Sequence, residues 1–187
     1  MTEQRFPPLT LDEMTPAQRA VHDQIAAGPR GGLRGPFIAL LHNPPLAQHL
    51  QGLGEHLRFN TGIPDTLVEL AILVTARHWN CAYEWYAHEK LARKAGLAQA
   101  IIAAINENLV PPAMSAPQAL VHEFCTEALH QGAPSDASFD AVVADFGRAG
   151  ALDMLALCGY YTLLALTLNT AHLPIPEGDG LPLATLP

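Results

Sequence analysis

Cys81, Glu84 and His88 place a thiol, a carboxylate and an imidazole at spacings of three and four residues within the segment Cys81-Ala82-Tyr83-Glu84-Trp85-Tyr86-Ala87-His88. On a helix, steps of about 100° per residue bring those side chains to within roughly 60° of one another on a single face. That is a proton-handling set. Glu84 and His88 are spaced to hydrogen-bond across one turn, which would orient the ring; the alternative is a surface ion pair. The crowding of Tyr83, Trp85 and Tyr86 argues for a partly buried pocket, in which acids and bases are tuned for proton transfer. Cys81 falls in the first turn expected for this helix, where free N–H groups and the helix dipole favour a thiolate, although a small core residue is an equal reading. Cys125 and Cys158 lie in apolar runs and read as core.

The elements that must position these residues are helical. Thr15-Pro16-Ala17-Gln18 has the form of a capping box and opens a helix to about Ala27, before Gly28. Pro29 to Phe37 reads as a glycine-rich loop. Asn43-Pro44-Pro45 opens a second helix, on which Leu46, Leu50, Leu53 and Leu57 recur at three to four residues until about Asn60. Pro64-Asp65 starts a third, with Glu69 among Leu67, Leu70, Ala71 and Val74, that fades near His78 or Trp79. Asn80 is the expected cap of a fourth, Cys81 to Ala95, stopped by Gly96. The short connection between the third and fourth predicts an antiparallel hairpin with Glu69 on one arm and Cys81, Glu84 and His88 on the other. Periodicity leaves open whether Glu69 faces them. Further helices are expected over Ala98 to Glu107, from Ser115-Ala116-Pro117-Gln118 onward, from Ser135-Asp136 through Phe146 and Gly147, and from Ala151 to about Thr170. The sum is an all-α fold of about seven or eight helices.

With 187 residues and 49% hydrophobic content, the chain supports one core and one domain over 1–187, centred on about 34–175, with extended tails at 1–14 and 174–187. A net charge of −8 argues against nucleic acid as a partner. The N-terminal residues lack an apolar signal core, and the three cysteines form no C-x-x-C, so a reducing, cytoplasmic location is expected. Ala151 to Leu168 is apolar enough to raise a membrane span. Asp153, Cys158-Gly159, Tyr160-Tyr161 and two threonines interrupt it, so the expectation is a buried core or subunit-interface helix.

Nine histidines call for a metal reading. Glu127-Ala128-Leu129-His130 matches one Glu-x-x-His element of a di-iron bundle, but the second copy such a site needs is absent. His42, His49 and His56 are seven apart, roughly 10 Å of helical rise, too far for neighbours to share one ion. With His22 and His172 they read as surface or cap residues. Zinc through Cys81 and His88 lacks a ligand set, and no metal or cofactor is expected. Gly31-Gly32-Leu33-Arg34-Gly35 lacks the Gly-Lys-Ser/Thr ending and the strand-to-helix setting of a phosphate loop, and reads as a solvated loop.

Several stretches resemble the carboxymuconolactone decarboxylase and alkylhydroperoxidase D superfamily. They are Arg34-Gly35-Pro36-Phe37 with Leu41-His42-Asn43-Pro44, Glu69-Leu70-Ala71-Ile72-Leu73, the Cys81 to His88 motif, Ala95-Gly96-Leu97, and Gly159-Tyr160-Tyr161 with Leu168-Asn169. The resemblance implies an all-helical, alkylhydroperoxidase D-like fold that assembles as a homo-oligomer, with its site in the hairpin that bears the motif. In the alkylhydroperoxidase branch it implies a glutamate, a C-x-x-C pair and a histidine four residues after the second cysteine. Glu69, Cys81 and His88 match those positions, while Glu84 stands where the second cysteine would be. The decarboxylase branch implies a Glu and a His four apart, which Glu84 and His88 match. Without a resolving thiol near Cys81 the two-cysteine peroxidase cycle cannot run on this motif. The leading expectation is therefore acid–base chemistry on a small organic acid or lactone, with His88 moving the proton, Glu84 orienting it or acting as its partner, and Glu69 and Cys81 lining the pocket. A one-cysteine peroxidase, with Cys81 reduced by an external thiol, is the first alternative. A non-catalytic helical binder of small molecules is the second.

Overall fold

The computed structural model describes residues 3–28, 31–176 and 180–185. Eight α-helices occur among them: α1 (Pro16–Ala27), α2 (Pro36–Leu40), α3 (Pro44–Phe59), α4 (Asp65–His78), α5 (Ala82–Lys94), α6 (Gln99–Asn106), α7 (Ala116–Gln131) and α8 (Asp136–Ala171). Local chemistry sets most of their ends. Thr15 and Gln18 form the expected capping box at α1, as do Ser115 and Gln118 at α7, and Ser135 caps α8 through the Ser138 amide. Gly96 and Gly132 follow α5 and α7 at φ of 90° and 85°, a backbone that glycine adopts without a Cβ penalty.

α4 is the axis of the fold. Every residue from Leu67 to Arg77 is buried, and the helix packs on α5, α6, α7 and α8. A helix buried on all sides has no solvent face to present, so it sits in the middle of the bundle. Full burial of each leucine, isoleucine or valine along it contributes about 1.5–3 kcal/mol, and one apolar cluster runs from Val21 on α1 to Leu164 on α8. Glu69 is carried into that interior on α4.

Some boundaries differ from the sequence expectations. Residues 36–40 form the short helix α2 rather than the end of a loop: Gly35 at φ 58° turns the chain and Pro36 supplies a preset first helical residue. Pro29 and Arg30 of that loop lie outside the described residues, as do Met1, Thr2, 177–179, 186 and 187; Arg34 is exposed and turns back to the Gly31 carbonyl at 3.3 Å. The last two expected helices do meet where the sequence placed their break: the run α8 is interrupted at Gly147, whose backbone (φ 70°, ψ 174°) is not helical. The tails are tied down more than an extended reading implies. Leu11–Glu13 form a turn of 3-10 helix closed by Thr10 and Glu13, and the Arg5 amide donates to the Ala171 carbonyl. At the other end, Trp85 Nε1 donates to the Leu181 carbonyl, Asn106 Nδ2 to Pro182, and the Ala184 amide to Asn106 Oδ1, at 2.8–2.9 Å.

Candidate active site

The hairpin α4–α5 assembles the site. Thr66 Oγ1 donates to the Ala95 carbonyl at 2.7 Å and ties the open end of the hairpin. At the closed end Asn80 takes a left-handed conformation (φ 49°), tolerated because a short amide side chain suits that region. The Asn80 Oδ1 accepts from Arg77. From α8, Asn169 Nδ2 donates to the Trp79 carbonyl and Thr162 Oγ1 accepts from Trp79 Nε1, each at 2.9 Å. The turn is thus held from both sides, which fixes the register between Glu69 and His88.

That register brings Glu69 and His88 together. His88 Nδ1 lies 2.7 Å from Glu69 Oε2, and both residues are buried. Paired with a carboxylate, Nδ1 carries the proton and Nε2 is left with the lone pair, the arrangement a general base needs. The i,i+4 hydrogen bond expected between Glu84 and His88 is not made: the ring turns across the hairpin to α4 instead of along α5. Arg58, at the end of α3, completes the cluster from outside the hairpin, with Nη2 at 3.7 Å from Glu69 Oε1. On the remaining side the Tyr161 ring of α8 stands edge-on to the His88 ring, centroids 5.0 Å apart at 88°.

Glu84 occupies the same cluster in a different state. It is 2% exposed and neither carboxyl oxygen has a hydrogen-bond partner. Burial pushes its pKa well above the ordinary 4.5, which favours the neutral, protonated acid. Burial likewise holds the Tyr161 phenol protonated, with Arg58 acting the other way and Glu69 and Glu84 reinforcing burial. The cluster therefore pairs a histidine–carboxylate dyad with a protonated acid about one helical turn away, and unequal protonation of neighbouring groups is what separates acid from base in a site.

Cys81 behaves unlike the thiolate expected of a first-turn cysteine. It is the N-cap residue of α5, a place assigned to Asn80 from the sequence, and its backbone is extended (φ −87°, ψ 93°). Its side chain is fully buried with Ala165 and Leu168, against Trp79, Tyr83 and Leu173. Burial first, and second the charge Glu84 carries once it ionises, push the thiol up to about 12, more than the Glu84 and Tyr83 amides lower it. Desolvation outweighs the helix terminus here, and Cys81 is a neutral thiol. Cys125 and Cys158 are buried as expected.

The sequence singled out four residues, and the fold brings Glu69, Glu84 and His88 into one cluster with Cys81 at its edge. Arg58 and Tyr161 join them from α3 and α8. Tyr161 carried a signal, since an aromatic with a polar tip inside an apolar helix needs a reason to be there. Arg58 carried none, because its approach depends on how α3 meets α4. The histidines that were set aside have other partners: His56 pairs with Asp153 at 2.9 Å, His42 with the Pro7 carbonyl, His22 with Asp23 and His172 with the Glu3 carbonyl. Glu127 accepts from the Ser135 amide at 2.8 Å.

Residues 44–121 match the carboxymuconolactone decarboxylase family model, a stretch that contains Arg58, Glu69, Cys81, Glu84 and His88. No curated protein matches the chain. Over those residues the all-helical chain is similar to the carboxymuconolactone decarboxylase family.

Proposed function

We propose that this protein performs acid–base chemistry on a small organic acid or lactone, as a decarboxylase or proton-transfer enzyme, with Glu69, His88 and Glu84 as its working groups. One observation carries the reading: a histidine tied through Nδ1 to Glu69 shares a buried cluster with an unpartnered, protonated Glu84. In a decarboxylation the bond to the substrate carboxylate breaks, CO2 leaves, and the electron pair passes into a conjugated carbonyl as an enolate. Glu84 delivers its proton to the carbon and regains one from water. Where the substrate loses a proton instead, His88 Nε2 takes it and Glu69 holds the imidazolium that forms, while Glu84 donates a hydrogen bond to the enolate oxygen. Arg58 and Tyr161 complete the charge balance around the dyad.

The test is a panel of lactones, keto acids and hydroperoxides offered to the purified protein. Turnover of a lactone or keto acid should fall about 10²–10⁴-fold in His88→Ala, and turnover that survives this change would end the proton role given to His88. A one-cysteine peroxidase is disfavoured by the buried neutral thiol of Cys81. Hydroperoxide consumption with a thiol reductant, abolished by Cys81→Ser, would install that reading in its place. Ordinary reactivity at both His88 and Cys81, with no turnover, would favour a binder. The same reading takes the protein as a homo-oligomer.

A further inference from the structure

Away from the dyad, α4, α7 and the segment after α6 enclose a cleft of about 130 Å³, lined by Arg77, His78, His122 and His130 against an apolar wall that includes Val74 and Ile105. We propose that this cleft binds a small carboxylate bearing a short apolar chain. No aspartate or glutamate lines it. Arg77 is 5% exposed and, among the described residues, has no carboxylate partner. Its guanidinium is held by neutral oxygens alone, the carbonyls of Asn106 and Ala184 at 3.0 and 2.8 Å and Asn80 Oδ1, and its Nε–H has no partner. A buried cation without a counter-charge is costly, and an anion in the cleft supplies one.

The imidazoles supply the donors. His78 Nδ1 lies 3.4 Å from His130 Nε2, which joins α4 to α7 across the cleft. Burial lowers the pKa of His78 and of His122, and His130 adds to the effect at His78. Glu123, beside His122, acts the other way on that ring. A carboxylate among these rings would accept their N–H groups and favour their protonated forms. The apolar wall and the exposed rim residues Leu109 and Val110 suit a hydrocarbon chain rather than a fully hydrated ion. The cleft is well above the roughly 10–15 Å³ that a single water needs and has room for a short-chain acid. A divalent cation fits less well, because Arg77 repels it and, among the described residues, no three metal-ligating side chains converge.

Butanoate, its neutral isostere butanamide and the histidine ring signals of the protein by NMR decide the matter. Butanoate should shift the rings of His78, His122 and His130 with a dissociation constant on the order of 1 mM, and butanamide should leave them in place. Arg77→Gln should weaken binding about tenfold or more, the loss of a charge-assisted contact. Because Arg77 also ties down the C-terminal segment, His122→Asn and His130→Gln are measured beside it, each expected to weaken binding at least about threefold. Ring signals unmoved by about 50 mM butanoate, more than an order of magnitude above that constant, would overturn the proposal. So would an equal response to butanamide, or binding unchanged in all of the variants.

Discussion

Burial turns Glu84 from an ordinary carboxylate into a proton carrier, and the same burial predicts how it acts on stability. Its folded pKa stands well above the unfolded 4.5. Between those two values the folded chain keeps the proton that the unfolded chain releases, so stability is greatest below about pH 4.5 and falls as pH rises through the window. Glu84→Gln keeps the shape and removes the titration. In guanidinium unfolding the variant should match the parent at pH 4 and exceed it at pH 8, while any turnover is lost. An unchanged pH dependence would mean that Glu84 ionises freely. Spacing put Cys81, Glu84 and His88 on one face, but it also favoured a Glu84–His88 bond and a Cys81 thiolate. Neither occurs, because the partner of His88 comes from α4 and the environment of Cys81 comes from α8. Both depend on packing between segments distant in sequence, which helical periodicity does not encode.

Helix ends were legible wherever a single residue type decides them, as at Thr15, Ser115, Ser135 and Gly96. The break in α8 was legible too: Phe146 and Gly147 read as a helix end, and the backbone leaves the helical region at Gly147 before a second helical run begins. Gly147 sits at φ 70° and ψ 174°, a region open essentially to glycine alone. Gly147→Ala should therefore cost about 1–3 kcal/mol in urea unfolding, although a Cβ there would meet nothing within 4 Å. Gly52 is the control. It lies in regular helix on α3 with equally open surroundings, so Gly52→Ala should stabilise by roughly 0.8–1 kcal/mol. Opposite signs for two glycines with the same free space would isolate backbone conformation as the cause. Equal effects would remove the case for a strained bend.

At the scale of the whole molecule, α8 has two faces. Met154, Leu157, Cys158, Tyr161 and Leu164 enter the core, and Tyr161 reaches the dyad. Length and composition alone would let this helix cross a membrane, yet half of its apolar window is packed inside the bundle, the property of a core helix. The other face carries Leu152 (67% exposed), Gly159 and Leu166 (47% exposed), with Leu155, Ala156 and Leu163 half-buried between them. These recur every three to four residues, so they form one stripe along the helix. A second copy of the chain presenting the same stripe would cover it, and small residues at Ala156 and Gly159 let two such helices approach closely. A stable contact of this kind buries about 800 Å² per partner, more than one helix face supplies, so neighbouring elements must join it. Leu152→Glu combined with Leu166→Glu places charges on the stripe without touching the core, where exposed substitutions change monomer stability by no more than about 0.5 kcal/mol each. Size-exclusion chromatography with light scattering should show an oligomer for the parent and a monomer of unchanged helicity for the double variant. A parent that runs as a monomer, or a double variant that remains assembled, would remove α8 from the contact.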